Sequence, residues 1–280
     1  MQRLNNLEFE THENIPINDL RDLTKNADIN DCGFQVVSHL SSFCGFESTE
    51  HIQDYRVETE QLLKGTLGAV YVKCYDSVLR KNVTFERDTI DLGDPLHIEG
   101  PARGAITQWL VHAFSKSQNE QLTFVDITYV SGPSVTNRYM SNQAKEEFLK
   151  PGYRIRIVNT WRTLVPVLED RPLALCDSRS VDPKDLIAAD RVIPSLTGEV
   201  YSLTYNANHN WFWLEKQTLA EPFIFVMYDT KCGPHARFYP HVSFRNPNAP
   251  EGAALRESIE TRSVVITKEW KAGLGVHYGE

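Results

Sequence analysis

The sequence predicts a mainly β, largely antiparallel architecture, a barrel or sandwich with a few helices packed outside it. Three observations carry this. From Gly68 onward about ten runs alternate in polarity or are rich in β-branched and aromatic residues, against two clear helical patterns. Short stretches of Gly, Pro, Asn and Asp separate those runs. No internal repeat or low-complexity linker divides the 280 residues. Residues 1–30 read as a polar arm and 31–280 as one domain.

Gly33–Val37 reads as a first short strand. Ser48-Thr49-Glu50 opens a helix with Ile52, Tyr55, Leu62 and Leu63 on one side, and Gly65 after Lys64 is its expected stop. Gly68–Leu79 is a strand, with another at Val83–Phe85; Asp88–Arg103 is turn-rich and reads as a long loop. Leu122–Val130 is a strand that puts Phe124, Asp126 and Thr128 on one face. A helix follows at Ser141–Lys150, and Tyr153–Val158 alternates strictly. Glu199–Tyr205 and Asn210–Leu214 flank an Asn/His turn, and Phe223–Tyr228 is a buried-type strand.

Composition excludes several functions. Hydrophobic content of 41% and charged content of 24% are those of a globular protein. No apolar run approaches the roughly 18 residues that span a bilayer, and the polar, acidic N-terminus is not a signal or transit peptide. A net charge of -8 without a Lys/Arg cluster argues against nucleic acid. Five widely spaced cysteines without a CxxC pair point to reduced thiols and a cytoplasmic protein. Glycine-rich phosphate loops and a GxSxG elbow are missing.

The stretch Ala236–Thr267 holds the central candidates: His241 on one short strand and Arg256 entering the next, which continues through Arg262. An imidazole binds metals, and a guanidinium grips a carboxylate with two parallel hydrogen bonds. The bland reading makes them ordinary surface or core residues. Asp126 in a β-branched strand is costly to bury unless paired or metal-bound. Cys176 reads as a buried small hydrophobe rather than a nucleophile, and Asp177 with Arg179 as a structural pair.

Five blocks in order, NTWR, PLALCDSRSVDPKDL, YNANHNWFWL, ARFYPHVSF and RESIETR, resemble a known family. It is that of fungal and bacterial natural-product enzymes related to the cephamycin methoxylation component, the hydroxylase/desaturases and gibberellin-desaturase-like proteins. The resemblance covers roughly residues 31–266 and implies a double-stranded β-helix, the cupin-like jelly roll of iron(II)/2-oxoglutarate oxygenases. It implies iron held by a His-x-Asp and a distant His, with an Arg on the following strand for 2-oxoglutarate. Carried over, these are Asp126, His241 and Arg256, with Arg262 as second choice. The departure is Phe124, which stands where the first histidine belongs and has no lone pair for iron. His112 in VHAFS is an alternative match that lacks the Asp, and His209 is a histidine that would have to swing in.

The resemblance thus implies an oxidoreductase that uses iron(II) and 2-oxoglutarate to hydroxylate, desaturate or cyclise an apolar polyketide- or terpenoid-like small molecule. Phe124, Trp161, Arg162, His209, Trp211 and Trp213 are candidates for the substrate pocket, with core packing as the plain alternative for the aromatics. The alternative function is a metal-independent cyclase, isomerase or dehydratase without cofactor, or a non-catalytic partner. A plain binding protein is a third reading. A homodimer or a paralogue heterodimer fits either of the first two, and no nucleic acid or membrane partner is expected.

Overall fold

The computed structural model describes residues 12, 14–83, 94–100, 124–125, 127–128, 131–193, 196–231 and 239–269. Its first strands are β1 (Ile17–Asp19), β2 (Phe34–Val36), β3 (Tyr71–Lys81), β4 (Ile98–Glu99) and β5 (Phe124–Val125). The middle strands are β6 (Tyr153–Thr163), β7 (Val167–Leu168), β8 (Leu173–Cys176), β9 (Leu186–Ile193) and β10 (Leu196–Leu203). The last are β11 (Trp211–Trp213), β12 (Gln217–Thr218), β13 (Phe223–Asp229), β14 (His241–Ser243) and β15 (Glu257–Lys268). Three α-helices join them: α1 (Thr49–Leu67), α2 (Ser131–Tyr139) and α3 (Asn142–Phe148).

Two sheets face one another. One has the order β1-β11-β8-β14-β5-β10-β9, the other β2-β13-β6-β15-β3-β4, and β12-β7 form a small ribbon. The core between them draws Leu173, Leu175 and Phe212 from the first sheet and Phe34, Ile157, Trp161, Phe223 and Phe225 from the second. This is the expected jelly roll. The alternation that predicted strands works because each strand of such a sandwich presents one face inward and the other outward.

Helix α1 covers the outer face of the second sheet. Ser48 caps it by accepting from His51 N–H, and Ile52, Tyr55, Thr59 and Leu63 are buried. The helix runs through Gly65 and ends at Gly68, whose φ of 60° suits the left-handed turn. The sequence stop was misplaced because glycine costs only about 1 kcal/mol inside a helix, less than packing returns. Of the strand expected over Leu122–Val130, β5 covers Phe124–Val125, residues 122–123, 126 and 129–130 lie outside the described residues, and Thr128 bonds Ser131 at the start of α2, a helix the sequence did not suggest. In the reverse sense, β6 continues past Val158 through NTWR to Thr163, and β9 pairs with β10 where no strand was expected. Of the expected Val83–Phe85 strand, Val83 lies in a bend and the rest is outside the described residues. Ile98–Glu99, expected in a loop, pairs in parallel with β3. Among the described residues no helix is long and apolar enough to cross a membrane.

Arg162 ties helix, sheet and loops together on the outer face. Buried, it donates to Tyr55 Oη at 3.2 Å, to His39 O and Nδ1 at 2.8 Å each, and to Leu219 O. Burial, and then the Arg162 charge, pushes the His39 imidazole below its ordinary value, while Glu58 acts the other way. A base depressed on folding takes up its proton more readily unfolded, so stability falls as pH drops through the unfolded histidine value of about 6.5. Thermal unfolding from pH 8 to pH 5 should show that loss, and His39→Gln, which keeps an acceptor for Arg162 without titrating, should blunt it. Gly33 has φ +92° and lies against Tyr239, whose Cε1 would be 1.4 Å from an added Cβ. Gly33→Ala is therefore expected to cost more than about 3 kcal/mol, read as a large fall in Tm or failure to fold.

Candidate active site

His241 and Arg256 sit at the ends of consecutive strands, but not of neighbouring ones. Strand β14 belongs to the first sheet and β15 to the second, so the two residues belong to opposite walls of the jelly roll. The sequence suggested adjacent strands because only a Pro/Asn/Gly-rich turn separates them. That turn is a crossover between sheets.

His241 is paired in register with Leu175 and with Phe124. Directly paired residues share a face, and Leu175 is part of the inter-sheet core, so His241 lies on the inner face. The His241 ring meets Phe225 of the opposite sheet at a centroid distance of 4.9 Å. Nδ1 lies 3.4 Å from Tyr239 O. A carbonyl only accepts, so this contact fits the tautomer that carries its proton on Nδ1.

Opposite it, the inner face of the second sheet is polar along β15. Register pairs Ser258 with Thr163 and Arg80, Glu260 with Trp161 and Val78, and Arg262 with Asn159 and Asp76. Asn159 Nδ2 donates to Glu260 Oε1 at 2.8 Å, and Arg262 Nη1 donates to Asp76 Oδ2 at 2.7 Å with Glu260 at 3.5 Å from Nη2. Immediately before this strand stands Arg256, only 2% exposed. Among the described residues its Nε and Nη2 have no hydrogen-bond partner, and neither does the buried Ser258 Oγ on the same strand or the buried Asn159 Oδ1. Burial, then the charges of Arg80 and Arg171, pushes the Arg256 guanidinium down to about 9, with Asp170 and Glu260 acting the other way. At neutral pH it is still a cation, buried and short of an anion.

The other sequence candidates are dispersed. Trp161 is buried in the inter-sheet core beside Phe223. Arg162, one residue on, points to the outer face and is spent on the knot described above. Trp211 pairs with Cys176 and packs with Ala174, Val181 and Phe244 in a separate cluster on the outer face of the first sheet. Trp213 stacks edge-on against Phe244 in that cluster, so Phe212 is the member of WFW that faces inward. His209 Nε2 is 2.9 Å from Asp185 Oδ2, which also accepts from Asn206, and this orders the turn. Arg262 is paired with Asp76, which leaves Arg256 as the open cation. Burial raises the Cys176 thiol to about 12, and Asp177 and Arg179 pair at 2.6 Å. Asp126 and His112 lie outside the described residues, among which no three His, Cys, Asp or Glu side chains group for a metal. The sequence reading missed Ser258, Asn159 and Glu260; the two-residue spacing from Arg256 to Ser258 on a strand was the available signal.

The jelly roll thus carries a histidine on one wall and, on the other, a buried arginine whose Nε and Nη2 have no hydrogen-bond partner among the described residues. The chain belongs to the family described as Oxidoreductase/YMDC permease-like domain, whose model matches residues 1–266. It is 28% identical over 268 residues to the hydroxylase/desaturase efuI of Hormonema carpetanum, covering 91% of this chain and 84% of the relative. It is 29% identical over 259 residues to the alpha-ketoglutarate-dependent dioxygenase tstK of Talaromyces stipitatus, covering 90% and 84%. A solved variant of the iron and alpha-ketoglutarate-dependent endoperoxidase NvfI superposes with a TM-score of 0.71 at 22% identity, covering 90% of this chain and 83% of that one. The last is a likeness of fold.

A buried cation without a counter-ion is a net cost in the ligand-free protein. Replacing it with an apolar side chain of similar length, Arg256→Met, should leave ligand-free stability unchanged or raise it by about 1–4 kcal/mol in chemical denaturation. A clear loss of stability would mean the guanidinium is already satisfied.

Proposed function

We propose that this chain is an iron(II)- and 2-oxoglutarate-dependent oxidoreductase that tailors a natural product, hydroxylating, desaturating or cyclising an apolar polyketide- or terpenoid-like small molecule. The observation that carries this reading is Arg256: a buried guanidinium whose Nε and Nη2 have no partner. Those two N–H groups match the two oxygens of one carboxylate. Ser258 Oγ, buried on the same strand, supplies a further donor. Relatives that carry iron and 2-oxoglutarate dependence in their names support the same dicarboxylate.

In this reading His241 Nε2 and Asp126 would hold the metal, and Arg256 and Ser258 would hold the far carboxylate of 2-oxoglutarate. When bound, iron(II) with 2-oxoglutarate and oxygen supplies the oxidant that takes hydrogen from an unactivated carbon. The protein's part is to fix the acceptor side chains, exclude water with Phe225 and Trp161, and present the substrate carbon. Glu260 accepts from Asn159 Nδ2, which fixes the amide and leaves Oδ1 open for a donor such as a hydroxyl. Phe124, in register with His241, puts an aromatic residue where the family resemblance expects a ligand. It is the observation that favours the second reading, a metal-independent cyclase or isomerase on the same scaffold. We also retain a cytoplasmic location and the 31–280 domain, with β1 of the polar arm lying along β11.

The test is anaerobic titration of the purified protein with iron(II) and 2-oxoglutarate, followed by the visible band of the chelate. A band that is lost in both His241→Ala and Arg256→Met is expected. Failure to bind metal or dicarboxylate would overturn the oxygenase reading and favour non-redox chemistry.

A further inference from the structure

His241 and Arg256, which the reading above places at the two ends of 2-oxoglutarate, stand on opposite sheets. The chain between them is rich in Pro, Asn and Gly and sets no distance by itself. The segment Glu169–Pro172, between β7 and β8, does. Its backbone carbonyls hold the residues just after His241. Pro172 O accepts from Phe244 N at 3.2 Å, Arg171 O from Ser243 Oγ at 3.4 Å, Asp170 O from Asn246 N at 3.1 Å, and Glu169 O from Asn246 Nδ2 at 2.9 Å.

The same segment also holds Arg256. Asp170 Oδ2 accepts from the Arg256 backbone N–H at 3.2 Å and from Asn82 Nδ2. Asn82 N–H in turn donates to Arg256 O at 2.7 Å. The Arg256 peptide is thus gripped from both sides by an Asp170–Asn82 pair anchored to the strand of His241. Asp170 is the acid that most favours the guanidinium charge, yet its hydrogen bonds go to a backbone N–H and an amide. Nε and Nη2 stay open.

We propose that Asp170, with Asn82, is a positioning residue that fixes the span between His241 and Arg256 and so selects the chain length of the 2-oxo dicarboxylate. The inference rests on the oxygenase reading. A free amino-acid contact network would merely stabilise the loop; a brace between the two ends of a ligand makes a specific demand on ligand length.

The experiment measures, by anaerobic calorimetry with iron(II), the affinities for 2-oxoglutarate and for its one-carbon-longer homologue 2-oxoadipate. Wild type, Asp170→Ala, Asp170→Asn and Asn82→Ala are compared, with Tm recorded for each ligand-free protein. Wild type should prefer 2-oxoglutarate. Asp170→Ala should lose roughly tenfold in 2-oxoglutarate affinity, as removal of outer-shell partners does, and its preference over 2-oxoadipate should shrink toward parity. Asp170→Asn should restore both, because one amide oxygen can accept both bonds that now end on Oδ2. Asn82→Ala should narrow the preference in the same direction, and it carries the test if Asp170→Ala does not fold. Equal weakening toward both acids, or no change, would overturn the proposal. So would an Asp170→Asn that behaves like Asp170→Ala, since the carboxylate would then act by charge. Wild-type protein that binds neither acid would bring down the oxygenase reading itself, a failure distinguished by its appearance before any substitution.

Discussion

An uncompensated cation inside a sandwich of two sheets is the constraint around which this structure is arranged. Taking a guanidinium out of water costs several kcal/mol, and Arg256 has given up its water without gaining a carboxylate on Nε or Nη2. Nearby acids exist, but they are committed elsewhere: Asp170 to the Arg256 backbone and Asn82, Glu260 to Asn159, Glu99 to Arg80. A buried charge left open while the charges around it are paired is what supports the proposal of an anion at Arg256. The energy withheld from folding is available for binding, and the depressed guanidinium pKa is the same fact seen through its proton.

The two walls divide the work. The wall that carries His241 is apolar around it, with Leu175 in register and Phe225 across the gap. The wall that carries β15 is a polar ribbon of Ser258, Glu260 and Arg262 beside Asn159. An apolar surround strengthens each electrostatic contact made inside it and keeps bulk water from the reacting atoms. The outer face is occupied by structure alone. Arg162 knots α1, the His39 loop and the turn at Leu219 to β6, and Trp211 and Trp213 fill a separate outer cluster.

Much of the fold was legible because strand alternation, β-branched runs and Gly/Pro turns are local signals. Asn210–Leu214, Phe223–Tyr228 and the strand after Arg256 fell where the pattern put them. What depends on parity or partners was not legible. WFW offered three aromatic candidates, and only pairing of Phe212 with Leu175 shows which one faces inward. NTWR was given no strand, yet it forms the C-terminal part of β6, where Asn159 and Arg162 bond residues distant in sequence, Glu260 and Tyr55. His241 and Arg256 could be chosen by residue type. That they belong to different sheets, with Asp170 holding the Arg256 backbone, follows only from strand pairing and from hydrogen bonds between residues distant in sequence, such as Arg256 to Asp170.

The most direct measurement is a crystal structure of the protein with 2-oxoglutarate bound. One carboxylate of the ligand should lie within hydrogen-bond distance of Arg256 Nε and Nη2 and of Ser258 Oγ, with its 2-oxo end directed toward His241 Nε2. A structure in which the acid lies elsewhere, or in which Arg256 closes onto Asp170 or Glu260 and leaves no room, would contradict that assignment.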